Sequence, residues 1–235
     1  MKRLSVTDAE NLALQLRAKV GMSGGEPVNV KTLLRKLGIL TWYRPLSEKS
    51  YGISIKTDNA LFILVNCNST RGRQHFTIAH ELYHLFFDEK PEPHMCGVAK
   101  SPVERDADMF ASALLMPREG VIQEISADNV RMHKVDLGTL IRLEQLFGVS
   151  RKAMLCRLKD LKLIDDVAFD ELGEIGVIDS AVAYGYDKSL YVGGNEGVVI
   201  GDFGEKARRL YEDGKISEGH YLELLNLWND DKPKS

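Results

Sequence analysis

The chain has 235 residues, of which 44% are hydrophobic and 28% are charged, an ordinary composition for one globular unit with at most a small extension. Its formal net charge of −3 gives no reason to expect overall attraction to nucleic acid or to an anionic membrane surface. No apolar run approaches the roughly 18 residues of a membrane span, and the first residues lack the apolar stretch of a secretion signal.

Cysteine usage indicates a reducing compartment. The three cysteines, Cys67, Cys96 and Cys156, are odd in number, and no pair has the Cys-x-x-Cys spacing of a metal or redox site. We therefore expect reduced thiols in a cytoplasmic protein that does not associate with membranes.

The first part of the chain predicts two helices followed by a small sheet. Apolar spacing predicts helices over 7–20 and 30–37, and Gly38 is typical of a helix C-terminus. Runs of apolar and β-branched residues then predict three short strands, over 39–43, 51–56 and 60–66. The turn residues between the last two strands favour a hairpin, so we expect the sheet to be antiparallel.

The segment 74–87 contains His80-Glu81-x-x-His84, the H-E-x-x-H signature of zinc-dependent peptidases. On a helix, residues four apart lie on one face, so both imidazoles can reach one metal ion. Glu81, about 100° further around the axis, is placed to act as a general base on a water at the metal. Apolar residues flank the motif, and burying three ionisable groups in such a helix is costly unless something compensates for them.

A second helix, predicted over 102–116 after a loop rich in proline and charge, offers the third ligand. Catalytic zinc normally takes three protein ligands and a water. Glu104 follows His84 by 20 residues and shares a helical face with small residues that would let the two helices approach closely. We predict Glu104 as the third ligand. Asp108, one turn on, is the alternative ligand or an acceptor for a histidine N–H.

Two segments, 73–84 and 104–117, carry a family resemblance. Together they resemble the ImmA/IrrE metallopeptidases, which are similar to a pared-down gluzincin. Gly52 and the pair Val65-Asn66 resemble the upstream sheet of that family, and the resemblance covers roughly residues 7 to 165.

The resemblance implies specific roles and partners. It implies that His80, His84 and Glu104 bind zinc and that Glu81 activates water. It also implies that the protein works with a helix-turn-helix repressor, which some members of the family cleave.

An oxyanion stabiliser is also expected in a peptidase. The sequence leaves several aromatic and imidazole side chains as alternatives, namely Tyr51, Tyr83, His75 and His94. The pair His94-x-Cys96, in the loop between the two helices, could offer an inhibitory or alternative ligand, but a single His or Cys in a loop is weak evidence.

Residues 134–165 form a pattern of helix, tight turn at 148–150, and helix, which resembles a helix-turn-helix. From Lys134 to Lys162 the chain has seven basic and three acidic residues, so direct DNA binding through Arg151, Lys152 and Arg157 is one interpretation. We favour a packing role, because such a helix pair is a common scaffold.

The last region begins with an acidic stretch over 165–174, interpreted as a boundary. Short strands separated by glycine turns are predicted over 176–186, 189–193 and 197–203. Two amphipathic helices follow, over 205–213 and 217–228.

The expected fold is α+β: a minimal zincin-like helical core with a small sheet, a helix-turn-helix-like pair and a small α/β C-terminal appendage. The expected domains are a peptidase core over 1–133, the helical pair over 134–165 packed on that core, and the appendage over 166–235, whose role the sequence leaves open.

The expected function is a zinc-dependent endopeptidase that cleaves or regulates a helix-turn-helix repressor. The alternative is a non-proteolytic zinc-containing toxin or regulator neutralised by a helix-turn-helix antitoxin. Structural zinc sites are normally closed by four protein ligands. The sequence offers three good ones, which favours catalysis.

Overall fold

The computed structural model describes residues 4–48, 50–88, 94–96 and 101–226. The elements up to the second metal-site helix are α1 Val6–Lys19, α2 Val30–Lys36, β1 Ile39–Arg44, β2 Gly52–Lys56, β3 Leu61–Asn66, α3 Arg71–Phe86, β4 His94–Cys96 and α4 Pro102–Leu115. The remaining elements are α5 Arg118–Gln123, α6 Ala127–Met132, α7 Leu137–Phe147, α8 Arg151–Asp160, α9 Asp166–Glu174, α10 Val177–Ala183, a 3-10 helix Lys188–Tyr191, β5 Val199–Ile200, α11 Phe203–Glu212 and α12 Glu218–Asn226. The predicted α+β class is confirmed.

The sheet is mixed, so the expectation of an antiparallel sheet is wrong for one strand pair. The strand order is β4-β2-β3-β1-β5, with β1 parallel to β3 and the other pairs antiparallel. The Asn66 side chain ties down the connection that carries the chain from β1 to the far side of β3. It accepts a hydrogen bond from Leu46 N at 3.1 Å and donates one to Ser50 O at 2.8 Å. Such long-range bonds decide strand order and leave no local pattern in the sequence.

Helix α4 packs against both α3 and α1, and its two ends are held by side chains. Ser101 caps its first turn, and Pro102 occupies an N-terminal position where a missing N–H is tolerated. At the other end, the buried Arg17 donates to Leu114 O at 2.7 Å and the buried Arg157 donates to Met116 O at 2.9 Å. Guanidinium groups suit the negative end of a helix. These contacts therefore hold both ends of α4.

The pair α7 and α8 packs against the start of α3 through the turn between them. A Cβ added at Gly72 would lie 2.7 Å from Ser150 N and 2.8 Å from the carbonyl carbon of Val149, so the backbones are in direct contact. His75 binds the carbonyl oxygen of Gly148 at 2.8 Å. The turn that a helix-turn-helix would present to DNA thus faces the interior.

Two of the three basic residues considered for DNA contact are buried. Arg151 is 3% exposed and pairs with Glu144 at 2.7 Å, and Arg157 is 2% exposed and pairs with Glu10 at 3.0 Å. The exposed Lys152 is the remaining one. The net positive charge of this region therefore overstates the charge available to a phosphate backbone.

Two of the strands predicted after residue 174 are wrong. Residues 177–183 form α10, residues 188–191 form a 3-10 helix, and the acidic stretch forms α9. Short apolar runs fit helix and strand equally well, and tertiary contacts decide between them. Here Arg151 donates to Ile175 O at the end of α9 and to Ser180 Oγ in α10. Ala181 packs against Ile141 of α7.

The third predicted strand is confirmed in shorter form as β5, and the last two predicted helices are confirmed as α11 and α12, the predicted end of the last one at 227–228 lying outside the described residues. Strand β5 joins the sheet beside β1, and Ile200 lies in the main core. Just before it, Val192 O accepts from Arg71 N at the start of α3. The domain division at residue 165 stays a prediction, with part of the third region built into the sheet.

Within the described ranges, every helix is too short or too polar to cross a membrane.

Replacing Gly72 with alanine tests the packing of α3 on the α7–α8 turn. The added methyl group meets backbone atoms that have no freedom to move aside, so we expect a loss of about 1–3 kcal/mol in the free energy of unfolding. Gly204→Ala is the matched control, because its Cβ would have no atom within 4 Å and α11 gains helix propensity of about 0.5–1 kcal/mol. Urea denaturation measures both, and equal stability of the two variants would contradict this packing.

Candidate metal centre

Helix α3 places two buried imidazoles side by side. His80 is 6% exposed and His84 is 2% exposed, and one helical turn separates them. Their Nε2 atoms lie 3.2 Å apart. Two ring nitrogens this close, each able to offer a lone pair to the same point, form one side of a metal site.

Glu104 of α4 completes a triangle with the two histidines. Its Oε2 atom lies 3.3 Å from His80 Nε2, and its Oε1 atom lies 3.4 Å from His84 Nε2. Among the described residues, this is the one group of three whose candidate ligand atoms all lie within 4.8 Å of one another. Close packing makes the approach feasible, because the α4 residues facing the core include the fully buried Ala107 and Ala111.

A carboxylate holds the outward-facing nitrogen of each histidine. His80 Nδ1 lies 2.8 Å from Asp108 Oδ1, and His84 Nδ1 lies 3.1 Å from Asp88 Oδ2. When Nδ1–H donates to a carboxylate, the Nε2 atom is left to face the centre. The structure thus gives Asp108 the place of a hydrogen-bond acceptor for His80, while the metal-site triangle is made without it.

The electrostatic surroundings of His80 favour positive charge. Burial lowers the pKa of the ring, but the hydrogen bonds with Asp108 and Glu104, together with the nearby charge of Glu81, outweigh it and raise the pKa from 6.5 to about 9. The same negative charges would stabilise a divalent cation. Since a metal ligand must be neutral imidazole, metal binding would displace this proton.

Glu81 is fully buried, and neither of its carboxylate oxygens has a hydrogen-bond partner among the described residues. Strand β2 comes close to it at Gly52, where an added Cβ would lie 3.3 Å from Glu81 Oε1 and 2.6 Å from Thr77 Cγ2. A buried acceptor pair without donors is rare in native proteins and requires a reason. A water held at the metal would give Glu81 a donor.

The residues present fit a divalent transition metal ion. Two imidazole nitrogens and one carboxylate oxygen form a donor set found at catalytic metal sites, where a fourth position stays open to solvent or substrate. The orphaned carboxylate of Glu81 lies next to the first ligand in the chain, as the H-E-x-x-H spacing predicts.

The four predicted oxyanion stabilisers have different surroundings. The Tyr51 ring lies under the guanidinium group of Arg73, at 4.0 Å. Tyr83 is buried between His84 and Phe110, with both ring centroids at 5.8 Å.

The remaining two candidates are histidines. His75 uses its Nδ1 atom on the carbonyl of Gly148, and burial lowers its pKa. The backbone of His94 lies in β4 opposite Ser54, and its side chain falls outside the described residues. The side chain of Cys96, which with His94 forms the pair considered as an inhibitory or alternative ligand, also falls outside the described residues. All four stabilisers stay predictions.

Comparison with known families agrees with this site. The model of the IrrE N-terminal-like domain, a peptidase family, matches residues 34–159, which is more than half of the chain. The chain therefore belongs to this family, and the resemblance inferred from its motifs is confirmed. The matched range contains α3, α4 and the whole triangle, and it supports a metallopeptidase-like function. No curated protein matches the chain.

Removing any corner of the triangle should release the metal. We expect about one zinc ion per chain in the wild type after loading and dialysis, and little in His80→Ala, His84→Ala or Glu104→Ala, since a site with two protein ligands is incomplete. His220→Ala is the matched control, because this histidine is exposed on α12. Elemental analysis measures the ratio, and a wild type that holds no metal after loading would contradict the site.

Proposed function

We propose that the protein is a zinc-dependent endopeptidase. The observation that carries this proposal is the buried, unpartnered carboxylate of Glu81 beside three converging donor atoms. A purely structural metal site has no use for such a group, whereas peptide hydrolysis needs a general base next to the metal. Membership of a peptidase family supports the same reading.

Zinc is the metal proposed. Many zinc peptidases bind the ion through two histidines and a glutamate and leave the fourth position open. When bound, zinc lowers the pKa of a coordinated water towards 7 and polarises the carbonyl of the scissile bond.

Side chains of the protein supply proton transfer and oxyanion stabilisation. Glu81 accepts the proton of the attacking water and returns it to the leaving amine. Its burial shields the carboxylate from bulk water. An oxyanion stabiliser is proposed from the same four candidates, Tyr51, Tyr83, His75 and His94.

The proposed substrate is a helix-turn-helix repressor, and the support for it is the resemblance to the ImmA/IrrE family. The burial of Arg151 and Arg157 speaks against direct DNA binding through these two residues of α8. A cytoplasmic location also stays a proposal, supported by Cys67 and Cys156, which are free thiols in the structure.

Glu81→Gln tests the proposal directly. The amide keeps the size of the side chain and takes no proton, so we expect metal content and folding to be unchanged and cleavage to fall at least about 100-fold. The assay incubates each protein with helix-turn-helix repressors from the same genome and identifies fragments by mass spectrometry. Glu171→Gln, an exposed position on α9, is the matched control.

Two outcomes would count against this function. Equal cleavage by the wild type and Glu81→Gln would remove Glu81 from its role. A zinc-loaded wild type that binds the partner stably and never cleaves it would instead identify the non-proteolytic regulator or toxin.

A further inference from the structure

The two candidate histidine ligands are supported by very different carboxylates. Asp108 projects from α4, and its side chain is 61% exposed. Asp88 follows the last turn of α3, and its side chain is 14% exposed. Hydrogen bonds to a shielded carboxylate face less competition from water than bonds to an exposed one. The two imidazoles are therefore held with unequal strength.

The backbone at the end of α3 fixes where Asp88 can reach. Phe87 N and Asp88 N both donate to Tyr83 O, at 2.8 Å and 3.2 Å. This closes the helix and leaves Asp88 one turn beyond His84, so that its carboxylate lies beside His84 Nδ1.

An aspartate is an unfavourable residue at this place. The last turn of a helix carries partial negative charge, which disfavours a carboxylate and favours a cation. A carboxylate that is held there, largely out of solvent, needs a compensating contact. His84 provides one, since its Nδ1 atom lies 3.1 Å away.

We propose that Asp88 is a positioning residue that aims His84 Nε2 at the metal, and that metal retention depends on it more than on Asp108. This inference rests on the proposed zinc site. Without the Asp88 carboxylate, the His84 ring can turn or change tautomer, and either change takes a lone pair away from the centre. Without Asp108, water can accept the Nδ1–H of His80, because that position is open to solvent.

Zinc affinity measured by competition with a chromophoric chelator tests this ranking. We expect Asp88→Ala to bind zinc about 10–100-fold more weakly than the wild type, as is usual when such a supporting carboxylate is lost. Asp88→Asn should recover part of the loss, because an amide oxygen still accepts the Nδ1–H. Asp108→Ala should lose less than Asp88→Ala.

The matched control is Asp213→Ala, an exposed aspartate that pairs with Lys215 next to α11 and should leave zinc affinity unchanged. Thermal unfolding of the metal-free variants separates loss of fold from loss of the site. The visible spectrum of bound Co²⁺ adds a second readout, since a turned His84 should alter its d–d bands in Asp88→Ala and leave them intact in Asp213→Ala.

Two results would overturn the proposal: Asp88→Ala with wild-type zinc affinity, or a greater loss in Asp108→Ala than in Asp88→Ala. Should Asp88→Ala not fold, the milder pair Asp88→Asn and Asp108→Asn decides. A greater loss of zinc affinity in Asp88→Asn supports the proposal, and an equal or smaller loss than in Asp108→Asn overturns it. A wild type that fails to bind zinc would instead refute the proposed function.

Discussion

The close packing of α3 on α4 is the contact on which the site depends. Ala79 of α3 and Ala107 and Ala111 of α4 are buried with at most 1% exposure. Side chains this small let two helices approach closely enough for Glu104 to reach both histidines. The buried arginines at the end of α4 and the serine cap at its start hold that helix in register. A larger residue at any of these three alanines would move the carboxylate away from the triangle.

Burial gives the site its electrostatic character. Removing charged groups from water costs several kilocalories per mole for each ion unless partners compensate for it. The histidines have such partners in Asp88, Asp108 and Glu104. Glu81 has none among the described residues, and Gly52 leaves the space beside it free of a side chain. The polar residues of α3 are therefore of two kinds. The histidines, which have carboxylate partners, suit the binding of a cation, and Glu81, which has none among the described residues, suits proton transfer.

The number of basic residues overstates the positive charge on the surface, because several arginines are buried within the fold. Arg17, Arg151 and Arg157 are buried and serve carbonyl groups or carboxylates within the fold. Arg151 also joins α9 and α10 to the helical pair, while Tyr191 donates to Glu144 at 2.6 Å from the following segment. These contacts join α9, α10 and the 3-10 helix to α7 and α8, and the domain division at residue 165 stays a prediction.

The site could be predicted from the sequence further than the fold could. Helical spacing alone brings His80 and His84 together, and Glu104 followed from the demand for a third ligand. Strand order, by contrast, depends on Asn66 binding a loop some 20 residues earlier, and no local pattern reports such a bond. The apolar run over 177–183 predicts a strand but forms a helix, because it is too short to show a period. The contact of Asp88 with His84 is not among the predictions, although the spacing of four residues between them was a visible signal.

The central claim is that atoms from two helices meet at one metal ion with a vacant position. Anomalous diffraction at the zinc edge from crystals of the loaded protein tests it most directly. The account predicts a single peak about 2.0–2.2 Å from His80 Nε2, His84 Nε2 and a Glu104 oxygen, with no fourth protein ligand. A peak elsewhere, or a fourth side chain closing the coordination sphere, would contradict it.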